Sequence, residues 1–271
     1  MAPDGWRVVS AGDDGTLEVR DLDTGRLTAT LPGDVAGVRA CAVTPDGQRV
    51  IAACIDCTLK VWDLESGRVL ATFHGHTNWV RACVVTPDGR RVVSGSDDRT
   101  LKVWDLEAGR VLTTFRGHTS QVRACALMPD SRRMIPAFND RTLKVWDLEA
   151  GRVLTTLTGH AGPVRACAVT PDGRRVGSDD RTLKIWDPDT GQVLATLGGH
   201  THGVRACAVM PDGRYVVSAS VDRTLKVWDL ASARCLHTHR GETTFRCVAA
   251  TADVVVAGDS AGTLWLLEWP R

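Results

Sequence analysis

Short β-prone runs rich in Val, Leu and Thr recur along the chain, divided by polar clusters that favour turns. Between Gly75 and Gly117 four such runs follow one another, VRACVVT, RRVVSGS, TLKVW and RVLTTF. PDG, SDDR and DLEAG separate them, each a strong turn signal. The pattern predicts four antiparallel strands joined by tight turns. Such a meander cannot bury both of its faces alone. Stacking several sheets around an axis buries them and leaves few exposed edges.

The unit repeats. The phrase TLKVWD and its relatives end at Asp21, Asp63, Asp105, Asp147, Asp187, Asp229 and Glu268, mostly 42 residues apart. Counting by position gives six first, seven second, seven third and six fourth strands, 26 in all. The first unit lacks its first strand and the last lacks its fourth. The expected architecture is all-β, one domain over residues 1–271, with seven four-stranded blades of which the first and last are incomplete. A six-bladed ring is the alternative, with the strand from Phe245 to Thr251 completing the first blade and the last two strands surplus. The missing strands also raise completion by a partner or by a longer parent chain. The segment RRVGSDD, against RRVVSGSDD elsewhere, has lost two residues and marks a weak point near Val176.

The GH and WD landmarks, the spacing and the four strands resemble the WD40-repeat family of β-propellers, across essentially the whole chain. The resemblance implies, in each blade, a hydrogen-bonded tetrad of His, Ser or Thr, Asp and Trp. His76, Ser94, Asp98 and Trp104 match it in full, as do His200, Ser218, Asp222 and Trp228. Elsewhere it is broken: Pro136 takes the Ser place beside His118, Asp140 and Trp146. Asp34 and Ala52 replace His and Ser before Trp62, and Glu242 and Leu267 replace His and Trp in the last unit.

Composition narrows the function. A net charge of +1 argues against nucleic acid or an acidic membrane as partner, and 24% charged with 43% hydrophobic residues fits a soluble globular chain. No apolar run reaches 18 residues and no secretory signal opens the chain, so a cytoplasmic location is expected. All five lysines fall in the TLKVWD phrase while arginine supplies the other basic residues, and near-identical repeats suggest a bacterial origin. Six of nine cysteines share one first-strand position and read as small core residues; Cys54 and Cys57 form a CxxC without a helix or a second ligand pair. His237 and His239 alternate on a fourth strand without a third ligand. No nucleophile, metal or phosphate-loop motif is present, so neither enzymatic activity nor a cofactor or metal is expected.

The candidate site is a ring of arginines, Arg39, Arg81, Arg123, Arg165, Arg205 and Arg246, each on a first strand. The resemblance places them near the mouth of a central channel. The residue before each tetrad Asp shares that face and is acidic at Asp13, Asp97 and Asp179, but Ile55, Asn139, Val221 and Ser260 elsewhere. An alternating Arg–Asp ring of ordinary ion pairs is one reading; a partly uncompensated basic mouth that docks an acidic peptide is the other. Just upstream lie Gly37, Trp79, Gln121, Pro163, Gly203 and Thr244, among which Trp79 is a candidate hot spot. A second set, Arg99, Arg141, Arg181 and Arg223, follows the turn Asp. The expected role is a non-catalytic protein- or peptide-binding scaffold, the sensing or docking module of a larger bacterial signalling protein. The alternative is a propeller that binds a small anion or nucleotide through the arginines.

Overall fold

A computed structural model describes residues 1–32, 37–117, 119–173, 175–178, 180–187 and 190–269, with 175, 176 and 178 described by backbone alone. Among them lie 26 strands and no helix. The chain forms two compact units, Met1–Cys125 and Ala126–Arg271.

In the first unit β1 (Arg7–Ala11), β2 (Leu17–Asp21) and β3 (Leu27–Leu31) form a three-stranded sheet. It is followed by β4 (Val38–Val43), β5 (Arg49–Cys54), β6 (Leu59–Asp63) and β7 (Val69–Phe73), then by β8 (Val80–Val85), β9 (Arg91–Ser96), β10 (Leu101–Asp105) and β11 (Val111–Phe115). The next strand, β12 (Val122–Leu127), starts within this unit and pairs in the second with β13 (Arg133–Phe138), β14 (Leu143–Asp147) and β15 (Arg152–Leu157). Beyond it come β16 (Ala166–Val169), β17 (Arg175–Ser178), β18 (Thr182–Trp186) and β19 (Val193–Gly198). They precede β20 (Val204–Val209), β21 (Tyr215–Ser220), β22 (Thr224–Asp229) and β23 (Arg234–Arg240). A three-stranded sheet of β24 (Phe245–Ala250), β25 (Val254–Asp259) and β26 (Leu264–Glu268) ends the chain. The four-stranded antiparallel blade is thus the unit of the fold. Among the described residues five sheets have four strands, while the first sheet and the last have three each.

The turns follow from their residues. In TPDG the threonine hydroxyl donates to the aspartate (Thr86 to Asp88, 2.6 Å), which also takes the Arg90 amide at 3.0 Å. At the next turn the Asp105 carboxylate accepts the amides of Glu107 and Ala108, and Gly109 adopts a φ of 64°. A β-bulge recurs between the third and fourth strands beside the tryptophan, at Val61/Trp62, Val103/Trp104, Val145/Trp146, Ile185/Trp186 and Val227/Trp228. Bulges strengthen twist, which lets successive sheets pack face to face.

The core lies between sheets. Ile51, Leu59, Val61 and Phe73 of one blade meet Val80, Val92 and Trp104 of the next, with Phe73 and Trp104 stacked at 5.7 Å. In the second unit Leu183, Ile185 and Leu197 meet Val204, Val216 and Trp228 in the same way.

Two blades depart from the rule. Ladder pairing in β13–β14 joins Met134 to Trp146 and Ala137 to Leu143 and skips Pro136, which has no amide to donate. The short β17 has four residues against six in β9. Cys167 and Lys184 both pair with Gly177, where Cys83 and Lys102 pair with Ser94. The two lost residues are therefore split, one before Gly177 and one after it. The Val176 side chain lies outside the described residues.

Packing between sheets leaves no room at Gly95, where an added Cβ would stand 2.4 Å from Val122 Cγ1. Gly95→Val is expected to cost about 1–3 kcal/mol through overpacking, read as a lower midpoint in thermal or denaturant unfolding.

Candidate functional site

The first-strand arginines of the first unit converge with two carboxylates. Asp97 donates its backbone N–H to the Trp79 carbonyl at 2.9 Å, and Ile55, Val221 and Ser260 make the same bond to Gly37, Gly203 and Thr244. This bond fixes the residue before the tetrad Asp beside the entrance to the first strand. Arg81 then donates through Nε and Nη2 to Asp97 Oδ2, at 3.0 and 2.7 Å. Arg39 has Ile55 in its own repeat and reaches instead to Asp13 of the preceding one, at 2.6 Å. The Arg123 Nη1 atom stands 3.9 Å from Asp97 Oδ1, and its Nη2 donates to Gln121 at 2.7 Å.

Between Arg39 and Arg81 stands Trp79, with the guanidinium carbons 5.6 and 4.6 Å from its ring centroid. The indole is 39% exposed. Cation–π contact of this kind holds all three side chains in place. In this unit the arrangement combines three guanidiniums, two carboxylates and one half-open aromatic ring. In the second unit Arg165 and Arg205 are half-buried and engaged, while Arg246 is exposed. Asp179, Asp34 and His118 lie outside the described residues.

The tetrad residues form continuous polar chains. Trp104 Nε1 donates to Ser94 Oγ at 2.8 Å, Ser94 Oγ lies 2.7 Å from His76 Nε2, and His76 Nδ1 lies 2.7 Å from Asp98 Oδ2. Trp228, Ser218, His200 and Asp222 repeat it with distances of 2.8, 2.7 and 2.8 Å. A neutral imidazole accepting at Nε2 and donating at Nδ1 satisfies every member. Burial would raise the Asp222 carboxyl, but hydrogen bonds from Thr224, His200 and Thr201 outweigh it and hold it at about 2. Asp98 is held below the usual carboxylate range in the same way. Burial lowers the His200 imidazole despite Asp222 beside it.

In the blade before Trp62 the indole donates instead to the Pro32 carbonyl at 3.3 Å. In the short blade His160 Nδ1 keeps a 3.0 Å contact with Asp180, but His160 Nε2 and Trp186 Nε1 are buried without partners among the described residues.

Other candidates become structural. Thiols of the shared first-strand position lean on carbonyls of the preceding sheet, Cys83 on Ile51 at 3.5 Å and Cys167 on Ile135 at 3.1 Å. Burial pushes the Cys125 and Cys207 thiols up to about 12, away from nucleophilic character at neutral pH. Arg99, Arg141, Arg181 and Arg223 sit at φ between 64° and 70° in the turn. The lysines, given no role from sequence, cross to fourth-strand threonines: Lys102 to Thr114, Lys184 to Thr196 and Lys226 to Thr238, at 2.9–3.0 Å. His239 lies 5.2 Å from the Trp265 ring and His237 6.2 Å from Trp269. Sequence reasoning also missed a groove of about 810 Å³ between Pro45, Arg49, Arg91 and Leu112, at the strand ends away from Trp79. Among the described residues no group of three or more His, Cys, Asp and Glu could hold a metal ion. No helix there is long and apolar enough to cross a membrane.

The family model described as WD domain, G-beta repeat matches residues 25–63, 67–105, 109–147, 151–187 and 191–229. Among curated proteins none matches the chain.

Two outcomes follow from the polar chains. Replacing residues 174–180 by Arg-Arg-Val-Val-Ser-Gly-Ser-Asp-Asp supplies a serine to His160 and Trp186, and is expected to stabilise by about 1–3 kcal/mol in denaturant unfolding. Asp222 titrates lower in the folded than in the unfolded chain, so its contribution is full above about 3.8 and is lost as pH falls toward 2. The lowered His200 acts with the same sign at higher pH, because protonation favours the unfolded chain. Melting temperature is therefore expected to fall from neutral pH downward, and Asp222→Asn to flatten the acid limb below pH 4.

Proposed function

Because this chain belongs to the WD40-repeat family, whose propellers typically serve as protein-interaction scaffolds, we propose that it is a non-catalytic scaffold that docks an acidic protein segment. In this reading residues 1–271 are one propeller domain with the seven sheets as its blades. The domain works in the cytoplasm as the sensing or docking module of a bacterial signalling protein.

One observation carries the reading. Trp79 is half-open between two guanidiniums, in a place where the other repeats hold Gly37, Gln121, Pro163, Gly203 and Thr244. Its backbone carbonyl accepts the Asp97 amide, while its side chain packs between Arg39 and Arg81. Tryptophan and arginine are the residues most enriched at binding hot spots. Asp13 and Asp97 hold Arg39 and Arg81 in fixed poses, which reduces the side-chain entropy lost on docking. The guanidiniums of Arg39 and Arg81 on either side of Trp79 suit glutamate- or aspartate-bearing peptides. The small-anion reading uses the same arginines and gives Trp79 no part.

Affinity capture from bacterial lysate compares the wild type with Trp79→Ala and with Arg81→Glu/Arg123→Glu/Arg165→Glu, folding being checked by melting curves. A protein retained by the wild type is expected to be lost by both variants. Equal retention by all three removes this face as the docking site. Phosphate- or nucleotide-induced thermal shifts that survive Trp79→Ala but not the triple change would favour the anion reading.

A further inference from the structure

Among the described residues six strands hold the same outer place in their sheets, β3, β7, β11, β15, β19 and β23, and none has a strand on its far side. Each carries at least one exposed leucine: Leu27, Leu70, Leu112, Leu154, Leu194 and Leu236. A row of open amides beside apolar side chains is a template for another strand. Proteins commonly blunt such an edge with charge or proline.

This chain blunts five of the six. Arg26, Arg68, Arg110, Arg152 and Arg234, all exposed, stand at the entrances to β3, β7, β11, β15 and β23. At the far ends Pro32 follows β3, His74 follows β7, Arg116 follows β11 and Arg240 closes β23. β19 departs at both ends. Gln192 takes the arginine's place and Gly198 and Gly199 take the far end, so residues 192–199 hold neither a charge nor a proline. Val193 is 41% exposed and Leu194 53%. Lys184 belongs to β18, one strand inward, and donates its ammonium to Thr196 at 3.0 Å. The bulge beside the third strand is shared by all six sheets and does not set β19 apart.

What the arginines exclude identifies the occupant. Antiparallel pairing of a strand with its own copy about its centre sets each end against the other. Arg110 would face Arg116 on β11, and Arg234 would face Arg240 on β23. Like charges directly opposite one another destabilise a strand pair. A foreign strand with acidic residues would instead be drawn to the same arginines. Arginine at these edges therefore acts against copies of the chain itself. On β19 Gln192 would face Gly198, and that opposition is gone. The nearest sequence is β15, Arg152-Val-Leu-Thr-Thr-Leu-Thr, which keeps its entering charge. A single permissive edge pairs once, about a two-fold axis, and closes as a dimer, whereas several would link copies into larger assemblies.

We propose that the outer edge of β19 pairs antiparallel with β19 of a second copy to form a two-fold dimer. The edge lies in the second unit, and neither Trp79 nor its arginines take part.

Sedimentation velocity on the full chain over a range of concentrations tests it. A reversible monomer–dimer equilibrium with no larger species is expected. Gln192→Arg restores the residue of the five sibling strands, so folding is not at stake, and should raise the dimer dissociation constant about tenfold or more with an unchanged melting curve. Leu194→Lys charges the same edge at an exposed position and should act likewise. Arg152→Gln should release β15 as a second permissive edge and produce species larger than the dimer. Trp79→Ala should dimerise as the wild type does. The proposal is overturned by a wild type that stays monomeric up to its solubility limit, or by a dimer that neither Gln192→Arg nor Leu194→Lys weakens. It is overturned equally if Arg152→Gln yields nothing larger than a dimer, or if Trp79→Ala abolishes the dimer.

Discussion

The contact on which the rest depends is the tryptophan of one sheet against the aromatic or leucine of the sheet before it, Trp104 on Phe73 and Trp228 beside Leu197. A four-stranded meander is too thin to bury an apolar face by itself, so each sheet is stable only through its neighbours. Burying an indole has a polar consequence, since its N–H must find an acceptor. Ser94 is that acceptor, and a serine at the centre of a sheet in turn needs His76, which needs Asp98. The polar chain thus follows from the packing. Trp62, without a serine, finds the Pro32 carbonyl instead, whereas Trp186, with Gly177 in the serine place, has no acceptor among the described residues.

The turn that ends this chain also builds the surface. Asp98 faces inward to His76 while its neighbour Asp97 faces the first-strand arginines. The Asp97 amide is tied to the Trp79 carbonyl, so the fold uses the backbone at residue 79 while its side chain packs between Arg39 and Arg81. The inward polar chain and the arginine-facing carboxylate are therefore separated by a single peptide bond. This is why Gly37, Trp79 and Gly203 can occupy equivalent places without altering the sheets behind them.

Strands, turns and the two complete tetrads were legible in the sequence because each is local or recurs at a fixed spacing. Partner choice was not. Arg39 pairs across the repeat boundary with Asp13 because Ile55 offers no carboxylate, whereas Arg81 uses Asp97 of its own repeat. Both geometries are compatible with one spacing. The lysines stood out by position, yet their partners are threonines on the next strand, a relation that appears only once the register of the ladder is known. Alignment placed a two-residue gap in one strand; the ladder distributes it to either side of Gly177, so that Arg175 pairs with Trp186 where Val92 pairs with Trp104.

In a chain this regular the departures carry the information, and they fall into two physical kinds. Some leave polar groups stranded: among the described residues the short blade buries His160 Nε2 and Trp186 Nε1 without partners, a cost with no visible return. Others are compensated. Trp265 replaces a lysine and gains Asp259, and Trp79 replaces small or polar residues and gains two guanidiniums. A compensated departure keeps an aromatic surface in a defined pose without destabilising the sheet that bears it, as a recognition surface requires. By that criterion Trp79 and Trp265, two of the four tryptophans outside the repeat's own position, are compensated departures, and the damaged blade is not one.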